Sequence, residues 1–324
     1  MSTRRLWWQI QLIPGSEPNT WQWHDGSPLD PAARPADSDC PPLITASPPP
    51  VGCIPYAEQF RGLSRTFTTS GPGVIYRHHF EELCKLMVWP AGLQSDTALC
   101  KSGFQFLVPS FFNALVHLLS TGEPFRIIFR TYGTDLPEVC EALDAFAHGR
   151  HHLFPGVKPC RELTMAAGAW QCSHLNPEDS LSPVFLEDTE QARRLDAPED
   201  IAAFFNDGVQ ALAIRDDYKH WHRHRYVPAS GKPVWFTASD TAVRHVFFDD
   251  NIHCKVDDSI VAVHARQSAD RPFIPLGGQD TLAYHNVVLV KASLIEAIQD
   301  PEYFIKKINE SESLWNARRT ALPC

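Results

Sequence analysis

Phe247-Phe248-Asp249-Asp250 sets two adjacent carboxylates at the end of an apolar run, the best equipped segment of this chain for chemistry. Neighbouring carboxylates repel each other and are costly to desolvate, so they suit a hard cation such as Mg²⁺, which prefers oxygen ligands. Val243 to Phe248 reads as a buried parallel strand whose carboxyl end delivers Asp249 and Asp250 into the crevice where open α/β sheets bind ligands. Upstream, Phe125-Arg-Ile-Ile-Phe-Arg-Thr131 is a second strand with a hydroxyl at its tip, closed by Tyr132-Gly133. Each has a plainer alternative. The aspartates could cap a solvated loop, and Thr131 could open an ordinary Thr-turn.

A second cluster, Tyr218-Lys-His220-Trp-His222-Arg-His224-Arg-Tyr226, spaces three histidines at i, i+2 and i+4. On a strand all three share a side as metal ligands, and on a helix two of them share a face. Lys219, Arg223 and Arg225 make the neighbourhood electropositive, which suits an anion better than a cation. The plain alternative is a partly exposed aromatic and basic helix after a strand. His78-His79 and His151-His152 carry no catalytic pattern. Cys140 and Cys254 fall near the proposed site, but a cysteine nucleophile needs a base and a lowered pKa, for which the sequence holds no signal.

The elements that must position these residues follow from periodicity. Leu107 to Leu119 is a helix entered through Pro109 or Ser110, with apolar residues at 111, 112, 115, 118 and 119 in helical spacing, ended by Gly122-Glu-Pro124. After the strand ending at Thr131, Asp135 caps a helix through Phe146, broken at Gly149. Helix, strand and helix in turn is the rhythm of a doubly wound α/β domain. It resumes after a less regular middle: a helix over 198–206 and strands over 209–214, 243–248, 259–264 and 287–290. A closing helix over 301–308 turns Tyr303, Phe304 and Ile308 inward. Before this block, Leu6 to Ile13 is a candidate first strand. Residues 14–53 are broken by Pro and Gly, and Val74 to Met87 forms a helix with Phe80, Leu83, Cys84 and Met87 on one face. The expected organisation is a Pro-rich N-terminal segment over 1–100 with the candidate first strand and a cap or insertion, an α/β core over 101–310 and a tail over 311–324.

A chain of 324 residues, 44% apolar and 21% charged, has ample material for a large core in one domain or two. The net charge of −9 and the lack of a basic stripe argue against a nucleic-acid partner. No apolar run reaches the roughly 18 residues of a membrane span. Met1 to Ile13 has a faint signal-peptide shape, but Gln9 and Gln11 interrupt it. The nine scattered cysteines include no C-x-x-C pair, which favours a reducing, cytoplasmic compartment over a disulfide framework or a structural zinc site.

The block from Leu107 to Asp135 resembles the second motif of the haloacid dehalogenase (HAD) superfamily, with Thr131, 22 residues after Pro109, in the place of the phosphate-binding hydroxyl. Phe247-Phe248-Asp249-Asp250 resembles the fourth, metal-binding motif, and Lys232 in Gly231-Lys232-Pro233, 17 residues upstream, stands where the third-motif lysine is expected, its plainer alternative being an exposed lysine in a Gly-Lys-Pro turn. The resemblance covers roughly residues 100–310 and looks closest to a eukaryotic-type group with F-R-T-x-G and F-F-D-D-N signatures. It implies a three-layer, Rossmann-like, mostly parallel sheet with an N-terminal insertion or cap. It also implies a Mg²⁺-dependent phosphatase acting on a small phosphorylated molecule, with Asp249 and Asp250 on the metal and Thr131 and Lys232 on the phosphate. The chain departs from the family at the first motif, an apolar strand followed by D-x-D-G-T or a close variant, which supplies the nucleophilic aspartate. Leu6 to Ile13 runs into Pro14-Gly15-Ser16 without an aspartate. His24-Asp25-Gly26-Ser27 preserves the end of the motif, but it puts Trp23 at the nucleophile position and Asp25 at that of the general acid. Two readings follow: a phosphohydrolase, with Asp25 a poor stand-in near the nucleophile position, or a catalytically inactive HAD-like binding or scaffold protein.

Overall fold

The computed structural model describes residues 12–14, 21–23, 66–69, 71–93, 95–157, 160, 163–164, 170–175, 182–190, 192–206, 210–224, 226–253 and 259–321. The chain divides into two units, Met1–Glu81 and Glu82–Cys324. In the first, β1 (Leu12–Pro14) pairs antiparallel with β2 (Trp21–Trp23). Of the candidate strand over 6–13, Leu12 and Ile13 are in β1 and the rest lies outside the described residues. The helix expected over 74–87 begins as a 3₁₀ turn over Gly71–Tyr76 and continues as α1 (Arg77–Met87). Of the expected apolar face, Leu83, Cys84 and Met87 are the half-buried residues of α1, while Phe80 is 49% exposed.

The second unit is a mixed α/β structure. Its elements run β3 (Cys100–Lys101), β4 (Phe104–Gln105), α2 (Pro109–Thr121), β5 (Ile127–Thr131), α3 (Leu136–Ala147), β6 (Trp170–Ser173), β7 (Val184–Glu187), β8 (Arg194–Leu195), α4 (Pro198–Asn206), β9 (Ala211–Arg215) and α5 (Tyr218–Arg223). They continue with β10 (Lys232–Thr237), β11 (Phe247–Asp249), β12 (Val261–Arg266), β13 (Ile274–Leu276), α6 (Gln279–Leu282), β14 (Leu289–Lys291), α7 (Leu294–Gln299) and α8 (Tyr303–Ala321). The largest sheet has the order β5-β9-β6-β7-β8, parallel through β5, β9 and β6 and antiparallel beyond. β10 and β12 run parallel with β13 antiparallel at the edge, and β11 pairs in parallel with β14.

α2 starts at Pro109, whose missing N–H is no loss in a first turn, and stops at Gly122 in the left-handed region at φ 72°. It buries Phe112 and Leu115, each contributing roughly 1.5–3 kcal/mol by leaving water. Its polar residues fix its other neighbours: Ser110 donates to the Ala297 carbonyl at 2.6 Å and Asn113 to that of Pro301 at 3.1 Å. β5 serves two cores because successive side chains of a strand point to opposite faces. Ile127 and Phe129 join Phe112, Leu143 and Phe146 of α2 and α3, whereas Ile128 joins Phe185, Phe205 and Trp235. A third core gathers Trp221, Phe236, Val263, Leu289 and Trp315 around β10, β12 and the last helix.

Several expectations are corrected. The strand expected over 243–248 spans only Phe247–Asp249 and is half-buried. Its first residues are held otherwise, because Asp240 accepts from the amides of Ala242 and Val243 and Arg244 donates to the Ile308 carbonyl. Gly-Lys-Pro is the entry to β10, not an exposed turn. Lys232 N–H donates to the Ile260 carbonyl at 2.7 Å, so the Pro233 nitrogen faces away from β12, where a missing donor breaks no ladder. The helix expected over 301–308 continues to Ala321, taking in most of the expected tail and burying Ser311 and Trp315.

Candidate functional site

β5 ends in Arg130-Thr131, β9 is followed by Asp216 and Asp217, β11 ends in Asp249, and β10 begins with Lys232. The Lys232 ammonium lies 2.7 Å from Asp249 Oδ2, both side chains under 10% exposed. It also donates to the Arg130 carbonyl at 3.3 Å and lies 5.3 Å from the centre of the Tyr132 ring. The Thr131 carbonyl accepts from Asp216 N–H on the β9 side, so in an alternating strand the Arg130 carbonyl points to the opposite edge, where Lys232 meets it.

Asp249 is held on both oxygens, Oδ2 by Lys232 and Oδ1 by the Asn251 amide at 2.9 Å. Its carbonyl accepts from Ala292 N–H, which ties it to β14. Asp250 is exposed and accepts from Asn251 Nδ2 at 3.1 Å. Although the residue as a whole is exposed, partial desolvation of its carboxyl, and then the charge of Asp249, raise it above the ordinary range. The Thr131 hydroxyl accepts from Gly133 N–H at 2.9 Å and donates to Asp135 Oδ1 at 3.1 Å, the Thr-turn named above as the plainer alternative. Of the expected site residues, Lys232 and Asp249 are in contact. Thr131 follows the carbonyl that Lys232 also holds, Asp250 sits one residue outward, and Asp25 lies outside the described residues.

The residues that sequence reasoning passed over are Arg130 and Asp216. The Arg130 guanidinium grips both Asp216 oxygens and the Pro233 carbonyl, with side chains 5% and 1% exposed. A signal for them was present: an arginine inside an apolar strand must be paired, and the next parallel strand ends in aspartates. Beside them, Tyr132 stacks on Trp221 at 4.9 Å, and its hydroxyl has no hydrogen-bond partner among the described residues. Burial, then the charge of Asp216, push that phenol well above its usual range, so it stays protonated. Cys172 is buried with its thiol pushed up by desolvation, and Cys140 is raised for the same first reason, so neither has the character of a nucleophile. Cys254 lies outside the described residues.

The histidine cluster is helical. His220 is fully buried and stacks face to face on His174 at 3.4 Å, with His224 4.1 Å away on the same side of α5. His174 Nδ1 lies 3.5 Å from Asp217 Oδ2. Burial first, then its histidine neighbours, lower His220 to about 4. Burial opposes ionisation of Asp217, yet contacts from His174 and the His220 amide hold its carboxyl at about 2. Among the described residues no group of three or more His, Cys, Asp or Glu could hold a metal ion. No helix among them is long and apolar enough to cross a membrane. No protein-family model, curated protein or solved structure matches the chain.

Proposed function

We propose that the second unit is a HAD-like phosphohydrolase scaffold, a three-layer Rossmann-like arrangement that binds a small phosphate ester with Mg²⁺. The observation that carries this reading is the 2.7 Å contact of Lys232 with Asp249, anchored on the carbonyl that precedes Thr131. Three segments distant in sequence thereby supply a cation, a carboxylate and a hydroxyl-bearing strand tip, which phosphoryl transfer uses beside the nucleophile that the first motif of this chain lacks.

The donor set fits Mg²⁺ in its usual mode at phosphate sites, one or two carboxylates completed by water and phosphate oxygens. Asp249 and Asp250 would hold it; the Asp250 carboxyl is raised first by desolvation and then by the charge of Asp249, and a cation would relieve the second. Bound there, the ion would supply charge neutralisation for phosphoryl oxygens. Lys232 would add a point charge to the phosphate, and Thr131 a hydroxyl donor once it releases Asp135.

A second reading, an inactive HAD-like binding or scaffold protein, is favoured by two engagements: Lys232 is neutralised by Asp249, and the Thr131 hydroxyl already serves Gly133 and Asp135. A screen of aryl and sugar phosphates with and without Mg²⁺ separates the two. The hydrolase reading expects Mg²⁺-dependent turnover that falls by about 100-fold in Asp249→Asn, a typical loss for one electrostatic group at a reacting centre. Equal background turnover in both proteins would end it.

A further inference from the structure

Arg130 meets Lys232 from two directions. Its backbone carbonyl receives the lysine ammonium, and its guanidinium holds the carbonyl of Pro233, the next residue along β10. The same guanidinium is anchored to Asp216, which begins the segment after β9 and whose amide is bonded to the Thr131 carbonyl. β10 belongs to a different sheet from β5 and β9, so this side chain joins the strand carrying Thr131 to the strand carrying Lys232.

We infer that the buried Arg130–Asp216 pair is a positioning device that fixes Lys232 against Asp249. A buried ion pair is costly to desolvate, and apolar residues of similar volume often stabilise a core as well or better, so stability alone is a weak reason to place one here. Its geometry supplies a stronger one. A planar guanidinium can bind a carboxylate through two donors and direct a third elsewhere, whereas an ammonium presents one point charge. Only the guanidinium can hold Asp216 and the Pro233 carbonyl together in a fixed plane. Lys232 is thus referenced to Arg130 at its main chain, through its neighbour, and at its tip. The phosphohydrolase reading enters only in what Lys232 then does; its placement stands apart from any turnover.

Amine acetylation of the full chain, read residue by residue by mass spectrometry, tests the placement directly. In the native protein Lys232, 7% exposed at its side chain, is expected to label slowly, and Lys306, 59% exposed, to label faster and serve as the internal standard. Asp216→Asn, nearly isosteric, and Arg130→Lys, which keeps the charge but not the fork, are expected to speed Lys232 labelling about tenfold or more, the effect of losing one hydrogen bond to a charged group. Rescue by lysine would reduce the role to charge alone and overturn the proposal. Unchanged Lys232 labelling in folded variants would also overturn it. So would an equal rise in Leu143→Ala, which loosens a core to which neither residue belongs. Loss of folding in both test variants would mark the pair as a structural staple and count against positioning. Faster labelling beside a wild type without phosphatase activity would sustain the positioning role and end the phosphohydrolase reading; turnover with unchanged labelling would do the reverse.

Discussion

Lys232 and Asp249 are each costly to bury alone and tolerable together. Removing one leaves the other as an uncompensated charge, a loss of about 3–5 kcal/mol for a buried pair. Lys232→Met is therefore expected to lower the urea midpoint strongly. Adding Asp249→Asn should restore part of it, because the second change removes the stranded charge. Additive losses in that double-mutant cycle would show that the two side chains do not depend on each other. Asp249 was legible because it ends an apolar run, where a polar side chain has no packing reason to be, whereas Thr131 and Lys232 stood out through their places in the resemblance. Arg130 and Asp216 were less so. Their meaning lies in a pairing across 86 positions, which β5 and β9 create only by lying side by side. What Lys232 touches was not legible either, since a Gly-Lys-Pro sequence says nothing about the strand it enters.

The elements show where local pattern suffices. α2, α3 and α4 were readable from 3.6-residue spacing and their breakers, and β5 and β9 from apolar runs ending in polar residues. β6, β7 and β8 lie in the stretch read only as a less regular middle, being two to four residues long and stabilised by neighbours rather than by their own composition. β10 was hidden by Pro233, which ordinarily argues against a strand and is tolerated here on the edge away from β12. α8 was cut short because Glu310-Ser-Glu-Ser313 looks like a polar tail, although Ser311 is buried and donates to the Val287 carbonyl at 2.6 Å. Entry to β10 depends on Gly231. A Cβ built there falls 2.2 Å from the Ile260 carbonyl oxygen, a backbone atom that cannot swing aside. Gly231→Ala is expected to cost roughly 1–3 kcal/mol by overpacking and to displace the start of β10 from β12. A thermal midpoint equal to wild type would show that the strand absorbs the methyl without strain.

Across the whole molecule, titration is dominated by histidines held neutral. Burial is the first cause in lowering His151, His220, His245 and His264, each to about 4. In the unfolded chain they take up protons near pH 6.5, so between about pH 6.5 and 4 the unfolded state binds more protons and stability rises with pH. The contribution is fully present above pH 6.5 and is lost as pH falls toward 4. Asp217, held at about 2, acts in the same direction but only in more acid solution, between about 3.8 and 2. The thermal midpoint should therefore drop steeply below pH 6, and His220→Phe should flatten part of that slope. A midpoint independent of pH over this range would mean that these side chains are open to solvent.

The contact between Lys232 and Asp249 has a mechanical side. β10 and β11 lie in separate sheets, and this ammonium clasps one to the other. An anion that competed for Lys232 would pull on that clasp, so binding there would become a question of how freely two slabs of the molecule slide. Amide exchange at Ala292, whose donor rests on the Asp249 carbonyl, is a gauge of that slip.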